Sequence, residues 1–227
     1  GLTQTGAIAA TDLAVTNTAG TVVLDQNNVL GEVGIINTGR DITLTNTTAT
    51  NISAFGIEGD TVVFNIANGL TQTGVIVATS LDVTNTVAGN VVLDQNNDVA
   101  TVGIINAVGD VTYTTNRVGS TATATSTLDG TGVDSTVTVT DGGTNYEPVT
   151  TIPVVFSDSP TSDTATGFAT TDSNGAVTSI TVTHAGSGYS AAPTITINAP
   201  PPLATDIAGI QGENVVLNAD NGFTQSG

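Results

Sequence analysis

The amino-acid sequence predicts an all-β fold: a right-handed parallel β-helix, or solenoid, carrying one small inserted β-domain made of two similar halves. Three observations predict it. They are a large internal repeat, a shorter period of apolar β-type runs inside that repeat, and a block with a different duplication of its own.

The large repeat comes first in the chain. GLTQTG at Gly1 to Gly6 returns at Gly69 to Gly74 and, as GFTQSG, at Gly222 to Gly227. VVLDQNN recurs from Val22 to Val91, VGIIN from Val33 to Val102, and Asp41-Ile42-Thr43-Leu44 is answered by Asp110-Val111-Thr112-Tyr113, all at one common offset. Inside this repeat Leu24, Leu44 and Phe64 end short runs 20 residues apart. Val15, Ile35 and Phe55 share that spacing, Leu93 and Tyr113 repeat it, and Val83 and Ile104 slip to 21. Runs such as TVVL, DITL and TVVF are rich in β-branched residues and separated by Gly, Asn and Asp, with no sustained helical period.

A run of four or five residues cannot bury an apolar face alone, whereas successive turns of chain laid on one another do. Each coil then sets Val, Ile and Leu over their equivalents about 4.8 Å away, and three coils make an axial repeat of about 14 Å. Asn17 and Asn37 share the 20-residue spacing and are expected to stack as an amide ladder at a bend. The stretch from Phe64 to Leu93 reads as a longer coil, with the second GLTQTG as an outward excursion or a strand on a widened coil.

The landmarks GIEGDTVVF at Gly56 and GIQGENVVL at Gly209 lie 153 residues apart, which leaves about 85 extra residues between them. These carry a 43-residue duplication: Ala122 matches Ala165, Asp129 matches Asp172, Val137 matches Ile180 and Tyr146 matches Tyr189. Alternating Val-Thr strands, Gly-rich turns and a Pro-entered strand in each half predict a compact antiparallel module protruding from one coil. Pro200 to Pro202 favour extended polyproline geometry on the return. The expected organisation is 1–116 as solenoid coils, 117–203 as the inserted module, and 204–227 as the return to the solenoid and the start of a third repeat.

Composition narrows the function. Twenty Asp and Glu stand against two cations, Arg40 and Arg117, for a formal net charge of −18. Nothing can neutralise phosphates, which excludes nucleic acid as a partner and disfavours anionic membrane surfaces. With no cysteine, thiolate chemistry, zinc ribbons and disulfides are excluded. No apolar run approaches the ~18 residues of a membrane span. The chain opens in mid-pattern at Gly1-Leu2-Thr3, which reads as a segment of a longer polypeptide or a chain whose leader has been removed.

GLTQTGAIAATDLAVTNTAGTVVLDQNN followed by VGIINTGRDITLTN resembles the repeats of filamentous-haemagglutinin-like adhesins exported by two-partner secretion. The resemblance covers residues 1–116 and about 204–227. It implies a secreted bacterial surface exoprotein with a right-handed β-helical stalk used for adhesion, biofilm or filament formation. The amino-terminal secretion domain of such proteins has no counterpart in this sequence. The GGTNY and GSGY units look like short repeats of large bacterial surface proteins and phage fibres.

Candidate sites are few. Asp94, Asn96 and Asp98 match positions one, three and five of a calcium loop. Position six is Val99 instead of Gly, position twelve is Ile105 instead of Glu, and the sister loop has Val29 where Asp98 stands, so a polar turn is the expected role. Asp172-Ser173-Asn174-Gly175 is no closer to a site, and diffuse Ca2+ binding by the acidic surface is expected in place of a defined one. His184, the single histidine, corresponds to Asp141 and reads as a polar turn position. Asp41 and Asp110 read as turn formers, and Tyr146 and Tyr189 as module core with sugar contact as the alternative. No catalytic residue and no cofactor are expected.

The expected function is structural and adhesive: a segment of a secreted extracellular fibre at the bacterial cell surface, stacking coils head to tail on itself or on neighbouring repeats. The expected assembly ends are Gly1, Leu2 and Gln4 at one extreme and Gly222, Phe223 and Gln225 at the other. Cell-surface glycans or matrix are the further partners considered. The alternatives are a receptor- or glycan-binding fibre module and, last, a polysaccharide-active β-helix enzyme.

Overall fold

The structure, a computed structural model, describes every residue except Ala107, Asp158, Asn174, Ser226 and Gly227. Three positions of the motifs above, Asn174, Ser226 and Gly227, therefore lie outside the described residues. The chain forms two compact units, Gly1–Arg117 with Ala204–Gly227, and Val118–Leu203. Among the described residues all regular structure is β.

In the first unit the strands are β1 (Leu2–Thr3), β2 (Ala9–Thr16), β3 (Val22–Ile36), β4 (Ile42–Asn46) and β5 (Thr50–Glu58). They continue as β6 (Thr61–Ile66), β7 (Leu70–Gln72), β8 (Ile76–Asn85), β9 (Val91–Asn106) and β10 (Val111–Thr115). The second unit contributes β11 (Thr123–Thr125), β12 (Leu128–Asp129), β13 (Gly132–Val133) and β14 (Thr138–Asp141). It ends with β15 (Thr151–Phe156), β16 (Thr166–Thr171), β17 (Val177–His184) and β18 (Ile195–Ile197). The first unit then resumes with β19 (Thr205–Gln211), β20 (Val215–Ala219) and β21 (Phe223–Gln225).

Every pairing among the described strands of the first unit is parallel, and these strands stack as a right-handed β-helix. One ladder runs Leu2, Val22, Ile42, Val62, Leu81, Val102, one step per coil. A second runs Thr50, Leu70, Val91, Val111, Val215. A third face carries Ile35, Ile57 and Ile76. Leu24, Leu44 and Phe64 do stack on one another, and Val83 and Ile104 extend their column, all at most 1% exposed. Thin β-branched and aliphatic residues suit this packing because each side chain must lie flat against its copy one coil away.

Three sequence expectations are corrected by this register. Val22 stands on the first ladder and its repeat equivalent Val91 on the second, so the 69-residue repeat spans about three and a third coils, not three. Each repeat thus advances one face, and about ten coils, close to 48 Å, bring the pattern back into phase in place of the 14 Å expected. Of the two readings of the second GLTQTG the strand holds, whereas the excursion and the widened coil do not. Leu70–Gln72 is an ordinary strand between Thr50–Ile52 and Val91, while Phe64 is covered by Val83 in place of Leu93. Phe55 is the third correction: Ile35 is covered by Ile57, because four residues, Ser53 to Gly56, bulge out between paired Ile52 and Ile57. Gly56 turns the chain with φ +77, and Phe55, 47% exposed, lies over Gly34 on the outer surface.

The second unit has a four-stranded antiparallel sheet in the order β17-β16-β15-β18 and two small antiparallel pairs, β11 with β14 and β12 with β13. Its duplication is physical as well as textual. Tyr146 and Tyr189 are 3% and 5% exposed, and each hydroxyl accepts the amide of the equivalent alanine, Ala122 at 2.9 Å and Ala165 at 3.0 Å. Paired threonine hydroxyls recur at Thr123 and Thr140 (2.7 Å) and at Thr166 and Thr183 (2.9 Å). Each half uses one tyrosine to anchor its Gly-rich turn to its first strand.

Candidate functional site

The strongest polar constellation lies inside the solenoid. In both VVLDQNN strands two extra residues bulge outwards, between Leu24 and Asn28 and between Leu93 and Asn97, which turns the last asparagine inward. Asn28 and Asn97 are fully buried. Asn97 Oδ1 accepts Gln72 Nε2 at 2.9 Å and the Ile76 amide at 2.8 Å, while its Nδ2 donates to Gln72 Oε1 at 3.0 Å and the Thr114 carbonyl at 3.0 Å. Asn28 makes the same set with Gln4 (2.8 and 3.0 Å), Ile8 (2.8 Å) and Thr45 (2.9 Å). The glutamine of GLTQTG and the last asparagine of VVLDQNN are therefore reciprocal partners on adjacent coils. Sequence reading missed this pair, although the signal was there: Gln4 to Asn28 is 24 residues and Gln72 to Asn97 is 25. The expected Asn17 and Asn37 contact is present at 2.7 Å, and Asn85 and Asn106 repeat it at 3.0 Å.

The other predicted residues are dispersed. Asp94 and Asn96 sit on the exposed bulge, whereas Asp98 binds the Arg117 guanidinium at 3.1 Å. Among the described residues no group of three or more His, Cys, Asp or Glu is placed to hold a metal. Arg117 also donates to the Ala204 carbonyl at 2.9 Å, joining the chain where it leaves the solenoid to where it returns. Arg40 follows the bend at Asn37, its amide donating to the Asn37 carbonyl at 3.0 Å. Asp41 and Asp110 each accept an amide of the next coil, from Thr61 at 3.3 Å and Asn214 at 3.1 Å. Asp172 Oδ1 takes the Ala176 amide at 3.0 Å, closing its own turn.

His184 Nε2 lies 2.7 Å from Asp163 Oδ1 on the surface of the second unit. Hydrogen bonds from His184 and then Ser187 hold the Asp163 carboxyl below its ordinary value. Tyr113 is the one described residue with a buried side-chain polar atom lacking a hydrogen-bond partner. Burial raises its pKa, and the Thr115 hydroxyl that pulls the other way is committed to the Asn97 carbonyl and to Thr205.

The terminal strands differ in what they leave open. On the β20 and β21 side, Val215, Val216 and Leu217 are 42%, 50% and 37% exposed, against 0% and 1% for the repeat equivalents Val62 and Phe64 of the first and third. A depression of about 400 Å³ lies among Ile207, Ile210, Val215, Leu217, Phe223 and Gln225. At the other end Leu2 is 38% exposed, and Ile8, Leu13 and Val15 are only partly buried against the core. The expected end residues Leu2, Gln4, Phe223 and Gln225 thus lie on or beside the first and last strands, with Gly1 and Gly222 just ahead of them. No protein family, curated protein or solved structure matches the chain.

Proposed function

We propose that this chain is a structural and adhesive segment of a secreted bacterial surface fibre, in which stacked coils make a stiff rod and the second unit decorates it. One observation carries the reading: the parallel ladders continue to the terminal strands, and among the described residues no further strand pairs with the outward edge of β20, where Val215, Val216 and Leu217 are exposed. An uncovered apolar edge of this kind is a template for another strand. The resemblance of the repeats to haemagglutinin-type adhesins supports the surface setting, and the acidic exterior suits a medium rich in cations. Tyr146 and Tyr189 are buried in the module core, so the glycan-binding alternative would rest on other residues.

Electron microscopy of the purified chain over a concentration series tests the proposal. Rods that lengthen with concentration are expected. Isolated monomers at every concentration would sink it.

A further inference from the structure

The internal repeat specifies what covers the open end. Residues 210–219 correspond to 57–66, with Ile210, Val215 and Leu217 in the places of Ile57, Val62 and Phe64. Within the chain that coil is covered by β8: Ile76 on Ile57, Leu81 on Val62 and Val83 on Phe64. The same covering residues occur once more, as Ile8, Leu13 and Val15 in the N-terminal coil, whose sequence corresponds to that of β8 at a spacing of 68. These three are partly buried, whereas Ile76, Leu81 and Val83 are at most 1% exposed. Among the described residues, then, no strand covers Ile210–Ala219, and the sequence that matches its covering strand stands in the N-terminal coil.

We infer that a second copy docks there by strand replacement, which gives the head-to-tail reading above, on which the inference rests, a defined register. Ile8–Asn17 of the second copy lie on Ile210–Ala219 of the first. Phe223–Gln225 of the first copy take the seat of the second copy's own Leu2–Gln4 beneath its Val22–Asn28. In that seat β1 pairs with β3 through Leu2 and Thr3, both exposed, and Gln4 bonds Asn28, the contact that Gln225 replaces. The polar groups match as well as the apolar ones. Gln225, the third copy of the repeat glutamine, meets Asn28 as Gln72 meets Asn97, and the Gly222 amide meets Asn17 as the Gly69 amide meets Asn85 Oδ1 at 3.0 Å. A copy then adds about six and two-thirds coils, a rise of about 32 Å, and turns the next copy by about two-thirds of a turn.

The test uses the absence of native cysteine. Val63 and Asp82 are direct cross-strand partners, so Val216 and Ala14, their equivalents, face each other across the junction. Both are exposed, and parallel neighbours about 4.8 Å apart suit a disulfide. A chain carrying Val216→Cys and Ala14→Cys is expected to give a ladder of disulfide-linked multimers on oxidation, and the two single variants mixed are expected to give a linked dimer. Leu13→Asp and Leu217→Asp are each expected to stay monomeric alone and to form dimers, no longer species, when mixed. Rods that form without the cross-link and ignore both aspartates would overturn this register while leaving head-to-tail assembly standing. Absence of any rod from the unmodified chain would overturn both.

Discussion

Asn97 is fully buried and hydrogen-bonded through both ends of its amide, so its removal strands the Gln72 amide, the Ile76 N–H and a carbonyl at once. Each unsatisfied buried group costs about 1–3 kcal/mol. Asn97→Ala is therefore expected to lower unfolding stability by about 3 kcal/mol or more in urea titration. Asn28→Ala is expected to cost less, since its partner Gln4 is half-exposed where Gln72 is buried, and solvent can reach the groups left behind. Tyr113→Phe should behave in the opposite sense. It removes a buried hydroxyl that has no partner and leaves the ring's packing, so thermal unfolding is expected at the same temperature or higher. Asp163 sets a pH dependence. Its folded pKa is depressed, so its contribution is present above the unfolded carboxylate value and is lost as pH falls through the lower folded value. Asp163→Asn is expected to flatten the acid limb of the second unit's melting temperature against pH; an unchanged limb would show that the His184 contact does not contribute.

At the scale of strands, stacking decides which glycines are required. Gly6 and Gly74 occupy the same place in GLTQTG, yet a Cβ on Gly6 meets nothing within 4 Å, while one on Gly74 would collide with the Ser53 carbonyl oxygen and lie 2.8 Å from the Gly56 nitrogen. Both obstacles are backbone of the coil beneath and cannot rotate away. Gly74→Val is expected to destabilise by about 3 kcal/mol, and Gly6→Val to leave the unfolding midpoint unchanged. Strands were legible from β-branched runs at a 20-residue period, because a ladder of identical side chains needs identical spacing. Phe55 was misplaced for the same reason: it kept the period, and nothing in its own run signals that Ser53 to Gly56 leave the ladder so that Ile57 can enter it.

At the scale of the whole molecule, the second unit is an addition to a solenoid that closes without it. Thr115 and Thr205 share a hydroxyl contact of 2.9 Å, and Arg117 reaches the Ala204 carbonyl, so the coil is stitched across the junction by residues of the first unit alone. Replacing residues 118–203 with a short Gly-Ser linker is expected to leave the solenoid's β circular-dichroism signal and cooperative unfolding in place. Loss of both would make the inserted unit part of the folding core.

The sequence by itself determined the solenoid, the coil length and the presence of an inserted, duplicated module, since each depends on local spacing that a linear pattern displays. Only the tertiary structure decided which face each repeat occupies and which polar residues meet. A repeat of 69 residues on coils of about 20 advances by a fraction of a turn, and that fraction becomes visible only when the chain is wound. The Gln72 and Asn97 pair and the uncovered coil at Val215 and Leu217 are consequences of that winding. They join residues that no single run of sequence places side by side.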